Sequence, residues 1–286
     1  MGLVQMHASR RAFMASAAAA GVLAGAPGLA LGQTGGGDAQ LASLLGAFAN
    51  EMLEASPEIA TGLGLDTGAR ADLKSKLSDV SRGAPAADQR RCYAMLRRMW
   101  AIDPVSLSGA SAIRYAAVQY ALRLGAQGGD FRYGDNGFRA AMNENATPYV
   151  VSQQTGSLVG IPEFLNSQHK IETRTDCEAY LARLDAFARQ LDQESERVRH
   201  DMDHGAIAPD FILDTTLTQA RGMRAAPAAG TGMVRSLATR AEAAHIDGDW
   251  AVRAERIVTG RIYPAVERQI AALNEAADHA GHDAGV

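Results

Sequence analysis

The sequence predicts a mainly α-helical fold, a lobe of seven or eight helices with one irregular, loop-rich insert. Apolar residues recur at helical spacing through most of the chain after residue 40, and proline or glycine marks the ends of the periodic segments. Between residues 125 and 172 this spacing is lost, and glycine and asparagine accumulate. No unit repeats at a fixed period, which excludes a solenoid.

Composition places the chain among folded globular proteins. Of its 286 residues, 47% are hydrophobic and 21% are charged, so disorder of the whole chain is excluded. The 28 basic and 32 acidic side chains give a net charge of −4 at pH 7. A nucleic-acid partner requires a concentrated basic surface, so this charge balance argues against one.

Residues 1–32 have the pattern of a twin-arginine signal peptide. The pair Arg10-Arg11 precedes an apolar run rich in alanine and glycine, and small residues follow. The run is broken by Pro27 and is too short and too weakly apolar to be a transmembrane segment, which takes about 20 residues. We therefore expect export to the periplasm or the extracellular space, with residues 33–39 as a flexible tether. The alternative is an amphipathic N-terminal helix.

Three helices are predicted between the tether and the insert. The first covers residues 40–53 and ends at Ser56-Pro57, where a glycine-rich irregular stretch begins. The second covers residues 86–101. Asp103-Pro104 is typical of an N-cap followed by proline in the first turn, and the third helix covers residues 110–124.

The insert of residues 125–172 is the longest stretch without helical spacing. Its residues 149–151 are predicted as a short strand or an extended loop. Long ordered loops in compact domains often carry function, so a functional site is expected here first.

Further helices are predicted after the insert. A long one begins at Thr175, where Thr175 and Glu178 have the spacing of a capping box, and it ends at Gly205. Another begins at Pro209, and a linker of alanine, proline and glycine follows it. The last two are predicted at residues 233–245 and at 249–277, with a kink or split at Pro264, before a polar tail at 278–286.

No catalytic or metal-binding motif is present in the sequence. His200 and His204 share one helix face in H-D-M-D-H, a spacing that can chelate a metal. The segment lacks the glutamate of a metallopeptidase motif and lies at a predicted helix end, where the helix dipole favours histidine. We interpret it as a solvated helix end and expect no catalytic residue, metal or cofactor in this chain.

Two further groups of side chains receive structural interpretations. Cys92 and Cys177 are predicted as two buried thiols, with a disulfide as the alternative. The alternating charges of residues 192–199, among them Glu194 and Arg197, predict an exposed, ion-paired helix face.

Five segments together resemble a known bacterial family. In chain order they are SPEIATGLGLDTGAR at 56–70, PYVVSQQTGSLVGIPEFLNSQHKIET at 148–173, YLARLDAFARQLDQESERVRHD at 180–201, APDFILDTTLTQ at 208–219 and RIVTGRIYPAVERQIAAL at 256–273. With these segments in this order, the chain from about residue 40 to its end resembles the family catalogued as domain of unknown function 885, in an exported form.

The resemblance implies a larger protein with a metallopeptidase-like activity. Full-length relatives are roughly twice as long, and their C-terminal half carries a zinc-peptidase-like signature, a His-Glu pair followed by Pro-Gly-His and a further glutamate. None of these residues has a counterpart in this chain. The resemblance therefore implies an N-terminal lobe, truncated within its polar tail and inactive alone. Zinc and a peptide substrate would belong to the complete protein.

A lobe of this kind would contribute one wall of a substrate cleft, and the insert would supply the cleft-facing side chains. The candidates are Tyr149, Val150, Gln153, Gln154, Phe164 and His169. Alternatively, the insert packs beneath the helices as a structural loop. Two other functions stay open: a stand-alone, non-catalytic helical binding module in the periplasm, and an enzyme that uses the loop of residues 148–169. Whether the chain is an enzyme, and its oligomeric state, are not determined by these patterns.

Overall fold

A computed structural model describes residues 36–138 and 146–283 of the chain. The described residues form ten α-helices and no strand, which confirms the mainly α prediction. The predicted signal peptide of residues 1–32 lies outside the described part. Within that part, no helix has both the length and the apolar character that a membrane span requires.

The first four helices precede the insert. They are α1 (Gly36–Ala55), α2 (Pro57–Gly62), α3 (Ala84–Met99) and α4 (Gly109–Gly128), with 3₁₀ segments at Gly68–Ser75 and Pro104–Ser106. Helix α1 begins four residues before the predicted start at Gln40, so the end of the predicted tether is helical. Asp103 caps the turn that follows α3, because its side chain accepts a hydrogen bond from Val105 N–H, as its sequence context predicts.

Six helices follow. They are α5 (Ser157–Ser167), α6 (Arg174–Asp203), α7 (Asp210–Ala225), α8 (Gly232–Ala243), α9 (Trp250–Ile257) and α10 (Tyr263–Ala277). The described helices outnumber the seven or eight predicted, since α2 and α5 form in segments predicted to be irregular. Although Pro162 lowers its helix propensity, α5 forms because Leu158, Ile161 and Leu165 fall on one face and are buried in the core.

Two large apolar clusters hold the helices together. One lies between α1, α3 and α4 and includes Phe48, Met95 and Leu122. The other surrounds α6, which packs against α5, α8, α9 and α10, and it includes Tyr180 and Phe187. Cys92 and Cys177 are both buried and unpaired, one in each cluster, which confirms the prediction of two free thiols.

Helix α6 begins at a capping box two residues earlier than predicted. The Thr173 hydroxyl accepts a hydrogen bond from Asp176 N–H, and the Asp176 carboxylate accepts one from Thr173 N–H, so the predicted Thr175–Glu178 box is wrong. Both pairs have the required spacing in the sequence. The Asp176 carboxylate also accepts a hydrogen bond from Lys74 Nζ at 2.7 Å. Glu178 instead pairs with Arg253 on α9.

The predicted split at Pro264 is confirmed. A π-helical turn, Val258–Ile262, joins α9 to α10, and Tyr263 N–H bonds to the carbonyl of Val258, five residues earlier. Pro264 has no N–H with which to continue the regular α-helical ladder, so the backbone widens by one residue just before it.

Helix α6 carries a row of buried polar side chains beside its apolar face. Its members are Asp176, Arg183, Gln190, Glu194, Arg197 and Asp201, spaced by seven, seven, four, three and four residues. The prediction that residues 192–199 form an exposed, ion-paired face is therefore wrong for Glu194 and Arg197. It is right for Asp192 and Arg199, which pair with Arg268 and Glu275 of α10.

One end of the polar row binds the insert at Gly134. Asp201 Oδ2 accepts a hydrogen bond from Gly134 N–H at 2.9 Å, and Arg197 donates one to Gly134 C=O at 2.7 Å. Gly134 has φ +68°, and a Cβ placed on it would lie 2.5 Å from the Thr147 carbonyl oxygen. Both constraints require glycine at this position.

The described part of the predicted polar tail also contacts the fold. Asp210 N–H donates a hydrogen bond to Gly281 C=O at 3.0 Å, and the His282 ring lies 3.0 Å from the Asp210 carboxylate. The tail therefore folds back on the start of α7 up to residue 283, where the described part of the chain ends.

Replacing Gly134 by alanine should destabilise the protein by about 1–3 kcal/mol, because an L-residue is strained at positive φ and its Cβ meets backbone. The matched control is Gly160→Ala in α5, where a Cβ meets no atom within 4 Å and helix propensity should add about 0.5–1 kcal/mol. Urea unfolding followed by circular dichroism measures both changes. Equal effects of the two substitutions would contradict the role of Gly134.

Candidate functional site

The candidate residues of the insert separate into two places. Tyr149, Gln153 and Gln154 lie in the loop of residues 146–156, which precedes α5. Phe164, at the end of α5, and His169, just after it, are buried beside Arg183 of α6. The structure therefore does not join the candidates into one surface.

Arg183 organises the buried group. Its guanidinium is inaccessible to solvent, and three of its four hydrogen bonds go to oxygen atoms: Lys76 C=O at 3.0 Å, Leu73 C=O at 3.1 Å and the Thr61 hydroxyl at 2.6 Å. Burial lowers the pKa of Arg183 to about 10, which leaves it charged at neutral pH. Arg183 is thus a donor to the Lys76 carbonyl just after the 3₁₀ segment, whereas the Leu73 carbonyl also accepts a hydrogen bond from Lys76 N–H.

His169 is a core residue. Arg183 donates a hydrogen bond to its Nδ1 at 2.7 Å, and because arginine has no acceptor atom, the ring proton must be on Nε2. Nε2 lies 3.0 Å from Asp176 C=O, to which it donates. Burial, aided by the charges of Arg183 and Arg240, lowers the pKa of His169 to about 4, so the ring is neutral. It faces the interior of the lobe rather than a cleft.

Phe164 completes the same cluster. Its ring lies 4.8 Å from the Arg183 guanidinium carbon, close enough for a cation–π contact, and its side chain is buried. Phe164 and His169 thus connect α5 to α6 structurally. This matches the alternative in which that part of the insert packs beneath the helices.

The 146–156 loop, in contrast, lies at the surface and is ordered by its own hydrogen bonds. The Ser152 hydroxyl accepts hydrogen bonds from the backbone N–H groups of Gln154 and Thr155, and the two hydroxyls of Ser152 and Thr155 are 2.9 Å apart. Val150 and Val151 are buried against α7 and α10. No strand forms at residues 149–151, so the loop alternative of the prediction is the one observed.

The remaining side chains of the loop are accessible to different degrees. Gln154 is exposed, whereas Tyr149 and Gln153 are half-buried. The Gln153 backbone carbonyl accepts a hydrogen bond from Gln219 of α7 at 3.3 Å, while the Gln153 side-chain oxygen has no partner among the described residues. The cavity beside Tyr149 and Val150 holds about 20 Å³, room for one water molecule. Among the described residues, this cavity therefore has no room for a ligand larger than water.

Glu194 of α6 binds the end of the 146–156 loop. Its Oε1 accepts hydrogen bonds from the N–H and the hydroxyl of Ser157, both at 2.7 Å, and its Oε2 accepts one from Gln269 Nε2 at 3.2 Å. Gly156, which precedes Ser157 in the chain, has φ +93°. Burial raises the pKa of Glu194 to about 7, although the hydrogen bonds from Ser157 oppose that shift. Sequence analysis missed this residue, and the heptad spacing of the polar row is the signal that points to it.

A second depression lies at the π-helical turn. It has a volume of about 280 Å³ and is lined by Asp185, Arg189, Asp192, Gly260, Arg261 and Arg268, among others. Its arginines are paired with its own aspartates: Arg189 and Arg261 with Asp185, and Arg268 with Asp192. Each arginine of the depression therefore has an aspartate partner, although three arginines and two aspartates leave a net charge of +1.

The described residues do not form a zinc site. Among them, no group of three or more histidine, cysteine, aspartate or glutamate side chains is arranged so that it could hold a metal ion. The His200 and His204 rings lie 4.3 Å apart, but His204 Nδ1 is 2.8 Å from His200 C=O, and His200 Nδ1 contacts Asp201. This helix end is consistent with the solvated interpretation. The 146–156 loop, which lies elsewhere, has amide and phenol groups that can form hydrogen bonds.

A known protein family matches most of this chain. The model of the family described as "Bacterial protein of unknown function (DUF885)" matches residues 57–285, from the start of α2 through α10. The chain belongs to this family. The match covers the polar row of α6 and the 146–156 loop, and α1 precedes it.

A solved structure has the same fold. It is the crystal structure described as that of "the putative lipoprotein from Colwellia psychrerythraea", with a TM-score of 0.69 and 16% sequence identity. The similarity covers 86% of this DUF885 chain and 42% of the Colwellia chain. The chain thus spans less than half the length of that protein. No curated protein matches the sequence.

Replacing Glu194 by glutamine should change how stability depends on pH. The pKa of Glu194 in the folded protein, about 7, lies above its ordinary value of 4.5, so folding takes up a proton between these values. The wild-type protein is therefore favoured most, relative to the variant, below pH 4.5. It loses on the order of 3 kcal/mol of that advantage as the pH rises through 7.

Urea unfolding at a series of pH values measures this difference. The glutamine variant keeps an acceptor for Ser157. The Gln269 amide can rotate so that its unpartnered oxygen accepts a hydrogen bond from the new side-chain amide at position 194. Glu196→Gln, an exposed position on the same helix, is the control for loss of one charge. A difference between wild type and Glu194→Gln that does not vary with pH would contradict the assignment.

Replacing Arg183 by methionine should cost about 3–5 kcal/mol, because it removes the buried donor of four hydrogen bonds, among them those to the Thr61 hydroxyl and the His169 ring. Arg189→Met removes the same charge from an exposed site on the same helix, where the expected change is within about 0.5 kcal/mol. Thermal and urea unfolding of the two variants should differ accordingly. A stability loss of similar size in both would show that charge, and not the buried hydrogen bonds, is responsible.

Proposed function

We propose that this DUF885 chain is the substrate-holding lobe of an exported hydrolase, and that the 146–156 loop forms one wall of the substrate cleft. The reacting groups, including any zinc, would come from polypeptide corresponding to the part of the longer relatives that this chain does not match. The family membership and the 42% coverage of the Colwellia protein support this division. Export is supported by the twin-arginine pattern and, more coarsely, by the lipoprotein description of that structural relative.

The observation that carries the proposal is the way the loop is held. A buried carboxylate, Glu194, binds the loop end at Ser157, although burying a carboxyl group is unfavourable. Such an arrangement orients a loop precisely enough to present side chains to a ligand. Because the adjacent cavity admits only one water molecule, the loop can serve as a cleft wall only when a second surface faces it.

The chemistry of the loop fits an extended peptide. The exposed Gln154 amide can donate and accept hydrogen bonds, as a peptide backbone requires, and Tyr149 adds a ring with a hydroxyl group. Gln153 is half-buried and its side-chain oxygen is inaccessible, so its contribution would come from its amide N–H groups. None of the three is charged. Recognition would therefore involve backbone groups of the substrate more than its charged side chains.

A second candidate function is a stand-alone, non-catalytic binding module. The observation that favours it is the large apolar cluster around α6, which buries residues from six helices within this chain. In that case the same loop would bind a peptide or a protein segment without hydrolysis.

Titration of the ¹⁵N-labelled chain with an uncharged, terminally blocked heptapeptide of alanine, glycine and leucine tests the loop. We expect chemical-shift changes at residues 146–156 and a several-fold loss of affinity in Gln153→Ala/Gln154→Ala. Asn166→Ala, an exposed amide on α5, serves as the control and should bind normally. Shift changes confined to another surface, or none at millimolar peptide, would refute the cleft-wall assignment.

Metal analysis and a peptidase assay test the division of roles. The purified chain should hold no stoichiometric zinc and should not cleave a fluorogenic peptide library. Stoichiometric zinc that is lost in His200→Ala/His204→Ala would overturn this expectation. Cooperative unfolding as a monomer would favour the stand-alone module, whereas aggregation or molten-globule behaviour would favour a lobe that needs its partner half.

A further inference from the structure

Three polar side chains meet in the interior beneath the end of the 146–156 loop. Glu194 of α6 accepts hydrogen bonds from Ser157, the first residue of α5, and from Gln269 of α10. All three are buried, and Gln269 is inaccessible to solvent. The amide oxygen of Gln269, Oε1, has no hydrogen-bond partner among the described residues. We call Glu194, Ser157 and Gln269 the loop anchor.

The unpartnered oxygen of Gln269 gives the anchor a second hydrogen-bonded arrangement. An ionised carboxylate only accepts hydrogen bonds, whereas a protonated carboxyl group also donates one. Gln269 Nε2 lies 3.2 Å from Glu194 Oε2, so turning the amide over brings Oε1 to the same place. Oε1 then accepts the O–H of a protonated Glu194. Both protonation states of Glu194 can therefore be hydrogen-bonded to Gln269.

Burial has a larger effect than neighbouring charge on the ionisation of Glu194. Burial raises its pKa to about 7, while the hydrogen bonds from Ser157 and the charge of Arg197, one turn further along α6, oppose that shift. The Arg197 guanidinium is shared with the insert, because it donates a hydrogen bond to Gly134 C=O at 2.7 Å and lies 3.7 Å from the Asp135 carboxylate. This cation is therefore partly compensated by another carboxylate.

Among the described residues, the elements packed against the Glu194 carboxyl group contact it with uncharged groups. Gly156 and Ser157 belong to the junction of the loop with α5, and Gln269 belongs to α10. Arg268, the chain neighbour of Gln269, pairs with Asp192 instead. When the proton is lost, a charge is thus left in the interior, and water reaches it only if the loop end moves away.

The junction of the loop with α5 is suited to such a movement. Gly156 has φ +93°, a conformation that glycine adopts without strain, and it lies directly before Ser157. From Leu158 onward, the apolar face of α5 is buried in the cluster around α6. A movement that separates Ser157 from Glu194 therefore involves the first turn of α5 and the loop end, and leaves the rest of the helix in place.

We propose that the loop anchor is a pH-controlled switch for the 146–156 loop. While Glu194 donates its proton to Gln269 in a hydrogen bond, the anchor holds the loop end on α6. When this proton passes to water, Ser157 separates from the carboxylate more readily, and the loop end opens. This inference goes beyond the proposed function and does not rest on it, since it concerns how the loop is held and not what the loop binds.

The direction of the pH dependence follows from proton linkage. In the closed form Glu194 keeps its proton up to a pH of about 7, whereas an exposed glutamate keeps it only up to 4.5. The open form therefore binds fewer protons between these values, so opening becomes easier as the pH rises from 4.5 to 7. Above the pKa of the closed form, opening should not change further with pH.

Amide hydrogen exchange of the full chain tests the switch at Ser157 N–H, which is protected while it is bonded to Glu194. Relative to the Glu194→Gln variant at the same pH, exchange at Ser157 in the wild-type protein should accelerate on the order of 100-fold between pH 4.5 and about 7.5. The comparison at equal pH removes the intrinsic pH dependence of exchange. A ratio that does not change with pH would overturn the proposal.

Urea separates opening of the loop end from unfolding of the whole chain, which also exposes Glu194. Because local opening exposes little surface, exchange at Ser157 should be nearly independent of urea below the unfolding transition. The amides of Leu184 and Leu191, in the buried part of α6, should exchange faster as urea increases. If the Ser157 amide follows them, its pH dependence reflects global stability, and the switch does not exist.

Ser157→Ala is a second variant. It removes the hydroxyl donor to Glu194 and keeps the backbone N–H. Because that hydroxyl favours the ionised carboxylate, the midpoint of the exchange change, and that of the Glu194 side-chain ¹³C titration, should move to higher pH. Ser167→Ala removes an exposed hydroxyl from α5 and should leave both midpoints in place. A midpoint that stays or falls in Ser157→Ala would contradict the switch.

Peptide binding is tested separately from the switch. A chain in which Ser157 exchange has the expected pH dependence, but which binds no blocked heptapeptide, has the switch and lacks the cleft-wall function. A chain that binds the peptide while Ser157 exchange is independent of pH lacks the switch alone.

Discussion

The fold depends on one constraint: the non-helical segments that cross α6 must have their backbone polar groups satisfied inside the protein. The buried polar row of α6 performs this task along the length of the helix. Arg183 binds the Leu73 carbonyl of the 3₁₀ segment, Glu194 binds the N–H of Ser157 at the start of α5, and Asp201 binds the N–H of Gly134 in the insert. Asp176 adds a side-chain ion pair with Lys74. Each contact offsets the free-energy cost of removing a polar group of the segment from water, which an apolar neighbour would not offset. Without the row, these segments could not pack against α6.

This constraint explains why the insert has two different roles. Its second part, α5 with Phe164 and His169, lies in the core because the apolar face of α5 is buried there, and Arg183 contacts both of these side chains. Its first part, the 146–156 loop, is held by Glu194, by buried valines and by its own hydrogen bonds, and it leaves the Gln154 amide exposed. A rigid helix that carries a short exposed loop is a common way to position binding groups.

The sequence by itself determined the mainly α class, most helix positions, the split at Pro264 and the family, because helical periodicity and proline act locally. It also indicated the insert as the place to look. It did not separate Gln154, which is exposed, from His169, which is buried, nor Glu194 from its exposed neighbour Glu196. Only the tertiary structure decided these points. A polar residue beside an apolar stripe can face either solvent or a backbone segment. Which of these occurs depends on the part of the chain that packs against it. For Glu194 that part is Ser157, more than 30 residues away in the sequence.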